Sequence, residues 1–378
     1  MPPGLMSIRF ALLLSMALCA RLPAQEPAGS TAVQQSLKDG DAAFARGDYE
    51  AARQSFEKAW QGAQSLPAAA PVRYDILKRL TATNSAAGQF AEGRQYLQQA
   101  IEWRQSFSRP NDPKIVDDLL LSINLDLRTR NFDRALSTAQ RVQDMHTAAS
   151  TADSLAVADD FLRIGQIHLA AGKPREAAGA FLTADNLRTK LAGPLDPGLL
   201  PVLDGLNDAF GKISGGTCAG CESNYRRALA IRETVYGKDS AELIATVEGL
   251  ADAYAASGEY VAAEPVYQRL LSLWEGLVGG DHPMVAVTLD KLVVLYTKEG
   301  ESVKAREALA RSIDIRARFL AVGLAHQAAN EIAQGHADQA RALYKRALAA
   351  LGTPIPANAD LINQIREALA GLGGPAGK

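Results

Sequence analysis

One spacing limits what this chain can fold into. Between Ala241 and Gly300, the residues Val247, Leu250, Ala251 and Tyr254 recur at helical spacing and Gly258 interrupts them. Tyr260, Ala263, Tyr267 and Leu270 then resume the pattern, which describes two amphipathic helices joined by a tight turn. A shift of 42 residues carries Val247, Leu250, Tyr254, Gly258 and Ala263 onto Leu289, Leu292, Tyr296, Gly300 and Ala305. A two-helix unit that returns at a fixed period cannot bury its apolar face alone and must stack on its neighbours.

The same register runs back to residue 33. Its turn position falls at Gly47, Gly88, Arg130 and Gly172, separated by 41, 42 and 42 residues, with Arg130 standing where the others have glycine. His168 to Phe210 is again 42, whereas Phe210 to Tyr254 is 44, which places a two-residue insertion in the fifth unit. Gly300 to Gly335 is 35, so the last unit reads as a short form. RPNDP (109–113), GPLDP (193–197), YGKDS (236–240) and GGDHP (279–283) supply Gly/Pro stops and Asp/Ser starts between units. The spacing predicts about eight units over 33–350, a capping helix within 351–371 and a disordered tail at 372–378.

A hydrophobic fraction of 47% with 6% aromatics suits many small Ala/Leu contacts between close helices, and strand-like alternation is absent. The expected class is all-α. The first residues do not fit the period: Arg9, an apolar run from Phe10 to Ala20 and a small residue at Ala24 predict a secretory signal peptide over 1–24, followed by a leader at 25–32. That run is too short to span a membrane, which takes roughly 20 residues. Bulky Leu18 before Cys19 argues against lipoprotein anchoring. Loss of 1–24 removes Arg9 and Arg21 and no acid, moving the net charge from −2 to −4. No basic stripe with interleaved aromatics is present, which argues against a nucleic-acid partner.

The turn glycine, the aromatic two residues later, the alanine five after the glycine and the aromatic four beyond that resemble tetratricopeptide repeats. AEPVYQRLL and GGDHPMVAVTLDKLVVLY are similar to the kinesin-light-chain variety. The resemblance covers roughly residues 33–350. It implies a right-handed α-solenoid whose first helices line a concave groove that binds a protein or peptide. The Lys and Asn with which some relatives clamp a terminal carboxylate are not reproduced, since Lys78 is followed one turn on by Ala82.

Two constellations remain. On first helices, Asp204, Asp208, Glu248, Asp252 and Asp290 recur just beyond core positions, and Asp204/Asp208 and Glu248/Asp252 are i,i+4 pairs. Like charges at that spacing cost a few tenths of a kcal/mol unless something offsets them. A basic segment of a partner would do so; the alternative is partial neutralisation by Lys212 and Lys298, with the rest solvated. Cys218 and Cys221 form a C-x-x-C that the register puts at the start of a second helix, which reads as a local disulfide, or alternatively as a redox or metal site. The five histidines show no metal-ligand spacing, His168 occupies a core aromatic position, and other acids read as solvated helix faces. No catalytic, cofactor or metal set assembles. The expectation is an exported, periplasmic or extracellular, non-enzymatic scaffold; thiol-dependent chemistry at Cys218/Cys221 and a purely structural spacer are the rivals.

Overall fold

A computed structural model describes residues 30–107, 112–149 and 154–372. The predicted signal peptide and the tail from residue 373 lie outside the described residues. Among those described there are 16 α-helices and no strand, in agreement with the all-α expectation. The chain divides into two compact units, Met1–Leu187 and Arg188–Lys378.

The first unit is a run of helical hairpins: α1 (Ser30–Ala45) with α2 (Tyr49–Ala63), α3 (Pro71–Ala86) with α4 (Phe90–Phe107), α5 (Pro113–Arg128) with α6 (Phe132–Ala149), and α7 (Leu155–Ala170) with α8 (Pro174–Ala192), whose last turn crosses into the second unit. The first helix starts at Ser30, inside the stretch expected to be leader. Each hairpin turns in the same way. After α1, Asp48 N–H bonds the Ala43 carbonyl at 3.0 Å and Gly47 N–H the Phe44 carbonyl at 3.0 Å, the paired closure of a Schellman motif. That motif holds its pivot in the left-handed region, where glycine lacks the Cβ penalty, and Gly47 has φ 79°. Arg130 has φ 59° at the equivalent place and is the single non-glycine with positive φ among the described residues. Asp48 then caps α2 by accepting from Ala51 N–H at 3.1 Å.

Two of these hairpins close by setting an aromatic of the second helix onto a glycine of the first. Phe56 of α2 lies on Gly40 of α1, and Phe181 of α8 on Gly165 of α7, each sixteen positions further along. Both rings are fully buried. A Cβ at Gly165 would lie 2.5 Å from the Phe181 ring, so hydrogen is the largest substituent this approach admits.

In the second unit, α9 (Leu200–Ser214) pairs with α10 (Glu222–Tyr236), α11 (Ile244–Ala256) with α12 (Tyr260–Val278), and α13 (Pro283–Glu299) with α14 (Ser302–Ala333). Helix α14 runs 32 residues without a break. Its first part closes on α13, and its last part, through Ala321, Leu324 and Ala328, packs with Ala340, Tyr344 and Ala347 of α15 (Ala337–Leu351). The short final spacing therefore arises because the second helix of one hairpin and the first of the next are one helix. Ile362 and Ile365 of α16 (Ala359–Gly371) cover the apolar edge left by α15.

Candidate partner-binding cleft

The fifth hairpin departs from the others. Its α9 ends at Gly215, φ 80°, but a loop from Gly215 to Cys221 replaces the usual short turn. Gly216 N–H bonds the Gly211 carbonyl at 2.8 Å, folding the loop onto the helix end. A Cβ at Gly211 would stand 2.9 Å from the Gly216 carbonyl oxygen, so glycine lets the loop lie flat there. Cys218 and Cys221 are joined within this loop, their Cα atoms 5.5 Å apart, a usual span for a disulfide. Cys221 is the residue before α10 and Cys218 lies in the loop, so the helix-start position expected for Cys218 is corrected. Both cysteines are buried. Glu222 ties the loop to the next hairpin, accepting from Gly220 N–H at 3.2 Å and from the Ser257 hydroxyl. Burial alone would raise the Glu222 carboxyl; these bonds outweigh it and hold the group below its ordinary value.

Beside this loop an open cleft of about 670 Å³ is walled by α9, α10 and the start of α11. Asp204 and Asp208 stand on one wall, Tyr225 and Arg232 on another, and Asn207 lines it as well. Burial, with the charges of Asp204, Asp252 and Asp208 adding to it, pushes the Tyr225 hydroxyl up, so it remains a protonated donor. A smaller cleft of about 240 Å³ lies beside Tyr260, Tyr267 and Lys291.

The structure places the five expected carboxylates on α9, α11 and α13 and gives each a partner within the chain. Arg232 binds Asp204 at 2.6 Å, Lys212 binds Asp208, and Lys291 bridges Glu248 and Asp252 at 2.7 Å each. Asp252 also accepts from the Tyr267 hydroxyl at 2.6 Å. Asp290 accepts from Ser312 at 2.5 Å and pairs with Arg316. The offsetting cations are internal: Lys212 pairs with Asp208, as the alternative reading had it, and Lys291 rather than Lys298 matches Glu248 and Asp252 on α11. The cleft gathers Asp204 and Asp208; Glu248, Asp252 and Asp290 do not line it.

Sequence reasoning also missed buried acids in the first unit. Asp118 on α5 is 1% exposed and accepts from Tyr74 at 2.8 Å, Lys78 at 2.7 Å and Arg104 at 3.0 Å, so it joins three helices rather than facing water. Burial, reinforced by the Asp118 charge, pushes the Tyr74 hydroxyl above its usual range. Asp126 is met by Arg94 at 3.2 Å and Asp160 by His146 at 2.7 Å. Burial raises the Asp160 carboxyl more than the His146 contact lowers it. The signal that could have found these acids is their position: Asp118 and Asp126 bracket Ser122 at i,i+4 along the apolar face of α5.

Among the described residues no group of histidines, cysteines or acids could hold a metal ion, and no helix is long and apolar enough to cross a membrane. No curated protein matches the chain. Among solved structures, BtubC (BKLC) from P. vanneervenii is 16% identical, covering 60% of this chain and 91% of its own, with a TM-score of 0.47. The C-terminal part of a TPR repeat-containing protein from Cytophaga hutchinsonii is 16% identical over 71% of this chain and 90% of that one, TM-score 0.46. A tetratricopeptide repeat protein from Parabacteroides merdae is 12% identical over 90% and 99%, TM-score 0.41. Residues 243–318 match the tetratricopeptide repeat family model, so the likeness to that family rests on α11, α12, α13 and the first half of α14.

Proposed function

We propose that this chain is an exported, non-enzymatic tetratricopeptide-type scaffold that binds a protein or peptide partner in the clefts between successive first helices. The observation that carries this reading is the open cleft of about 670 Å³ walled by α9, α10 and the start of α11. Repeat arrays bury their core between neighbours and leave such surfaces for recognition. Export is supported by the apolar run from Phe10 to Ala20 and by the pairing of Cys218 with Cys221, a bond that persists in oxidising compartments. The same pairing weighs against thiol chemistry, because both sulfurs sit in residues no more than 7% exposed.

A photo-crosslinking residue in place of Lys212, on the cleft, compared with one in place of Val261, 83% exposed and away from it, tests the reading in the native envelope. A discrete adduct from position 212 with none from 261 is expected. Adducts of equal yield from both positions, or none from either, would refute it.

A further inference from the structure

Three pairs of large apolar residues stand on the outside of the second unit at the repeat period. Val235 and Tyr236 end α10, Leu277 and Val278 end α12, and Phe319 and Leu320 follow 42 residues later within α14. All six are 38–59% exposed. Single exposed apolar residues are ordinary, but a set repeated in register on three successive second helices forms a patch that calls for a use. The series has definite ends. Gly193 and Pro194 stand 42 residues before the first pair, and 42 beyond the last, Ile362 is buried on the capping helix α16.

Contacts between the helices that carry the pairs join them into one stripe. Arg269 of α12 reaches Glu233 at 2.6 Å and the Lys238 carbonyl at 3.1 Å, which lie on either side of the first pair in the chain. Arg311 of α14 pairs with Glu275 in the same register, and Arg318 binds Asp281, three residues past Val278, at 2.6 Å. Packed helices lie about 8–10 Å apart, so the stripe runs roughly 20 Å. At roughly 150–200 Å² for a whole residue of these types, half exposure leaves about 500 Å² of apolar surface. A specific interface of standard size covers about 800 Å² per partner, of which slightly more than half, about 450 Å², is apolar. The stripe therefore supplies the apolar share that one side of a stable dimer needs.

We propose that this stripe is a self-association surface, on which a second copy of the chain lays the same stripe antiparallel about a two-fold axis through Leu277 and Val278. Two features select a second copy. Three evenly spaced apolar pairs read alike in both directions, so a two-fold sets every pair on a pair, the self-complementarity that an isologous interface requires. The central pair meets its own image, and Val235 with Tyr236 meets Phe319 with Leu320. The neighbouring charges are also matched within the chain, Glu233 by Arg269, Glu275 by Arg311 and Asp281 by Arg318. Apposed copies thus bring no unmatched like charges together at these positions, while a charged peptide or an anionic lipid surface gains nothing from them. None of the six residues lines the cleft, so the scaffold reading stands or falls separately.

Sedimentation equilibrium of the full chain tests the assignment, with circular dichroism confirming the fold of each variant. The wild-type chain should show twice the mass of one chain at micromolar concentration. Leu277→Glu sets two carboxylates against each other at the axis and should weaken association about a hundredfold or more. Val261→Asp, at a more exposed residue off the stripe, should leave it intact. Val235→Lys and Phe319→Glu should each dissociate the dimer. Mixing these two single variants should restore it, because only the antiparallel arrangement sets the lysine on the glutamate. A chain monomeric up to about 100 μM, a dimer indifferent to Leu277→Glu or equally broken by Val261→Asp, or no recovery on mixing overturns the proposal. So does a monomeric chain that pellets with phosphatidylglycerol vesicles and loses that binding in Leu277→Glu, which gives the stripe to a lipid surface.

Discussion

Neutralising Glu248 and Asp252 should destabilise the second unit, the reverse of what their i,i+4 spacing alone suggests. On an isolated helix, Glu248→Gln with Asp252→Asn would relieve a repulsion of a few tenths of a kcal/mol. In the structure Lys291 of α13 lies 2.7 Å from both carboxylates, and Tyr267 of α12 donates to Asp252, so three helices meet at one node. Burial pulls the Lys291 ammonium down, yet the bonds to Asp252 and Glu248 outweigh it and hold the group above its ordinary value. The three charged side chains are 28–34% exposed. That lies between exposed pairs, worth about 0.2–1 kcal/mol each, and fully buried ones, whose breakage costs about 3–5. Screening favours the lower end, so the double variant should lose about 1–2 kcal/mol. Lys291→Met should lose a similar amount, and combining all three changes should cost clearly less than the sum, because no stranded charge remains. Urea unfolding at low and at high salt measures this. Strict additivity, or a double variant as stable as the parent, would refute the node.

Arg130→Gly removes a left-handed strain of roughly 1–2 kcal/mol at φ 59°, offset in part by glycine's backbone entropy, so the melting midpoint should rise by the equivalent of about 0.5–1 kcal/mol; a lower midpoint contradicts the turn assignment. Gly165→Ala should cost about 1–3 kcal/mol by driving a methyl into the buried Phe181 ring, and a neutral result in denaturant melts would dismiss that packing. Burial raises the Asp290 carboxyl, but its bonds to Arg316 and Ser312 prevail and hold it below the ordinary 3.8. Its contribution is then complete above that value and lost as pH falls through the folded value. Asp290→Asn should flatten this acid limb in urea midpoints taken below pH 4, and an unaltered limb counts against the pairing.

The hairpins were legible because a Schellman turn demands a left-handed residue, and glycine at Gly47, Gly88, Gly172, Gly258 and Gly300 advertises it. Register alone located Arg130. Other features were written in a longer hand. The cations that match Asp204 and Asp290 lie 28 and 26 residues away, and Lys291 lies 43 from Glu248, beyond the reach of any single-helix rule. The fusion within α14 showed only as a spacing of 35, because between Ser302 and Ala333 there is no proline and only a lone Gly323 as a helix-stop signal. Where the Tyr225 ring seats is decided by Gly249 on another helix, 24 residues further on, which no single-helix spacing reaches.

A loop between hairpins is a joint, and between the last two hairpins α14 omits it. Thirty-two residues of unbroken helix make a strut about 48 Å long. Force or displacement applied at α15 and α16 is therefore carried along a single beam to α13 instead of being absorbed in a loop. Bending there requires breaking backbone hydrogen bonds, whereas the hairpin of α11 and α12 is joined to the next by the four non-helical residues 279–282. The same continuity constrains how the array can change length: excising the final hairpin would amputate the beam mid-span and bare Ala321, Leu324 and Ala328, so this end of the chain gains or loses the two hairpins as a pair.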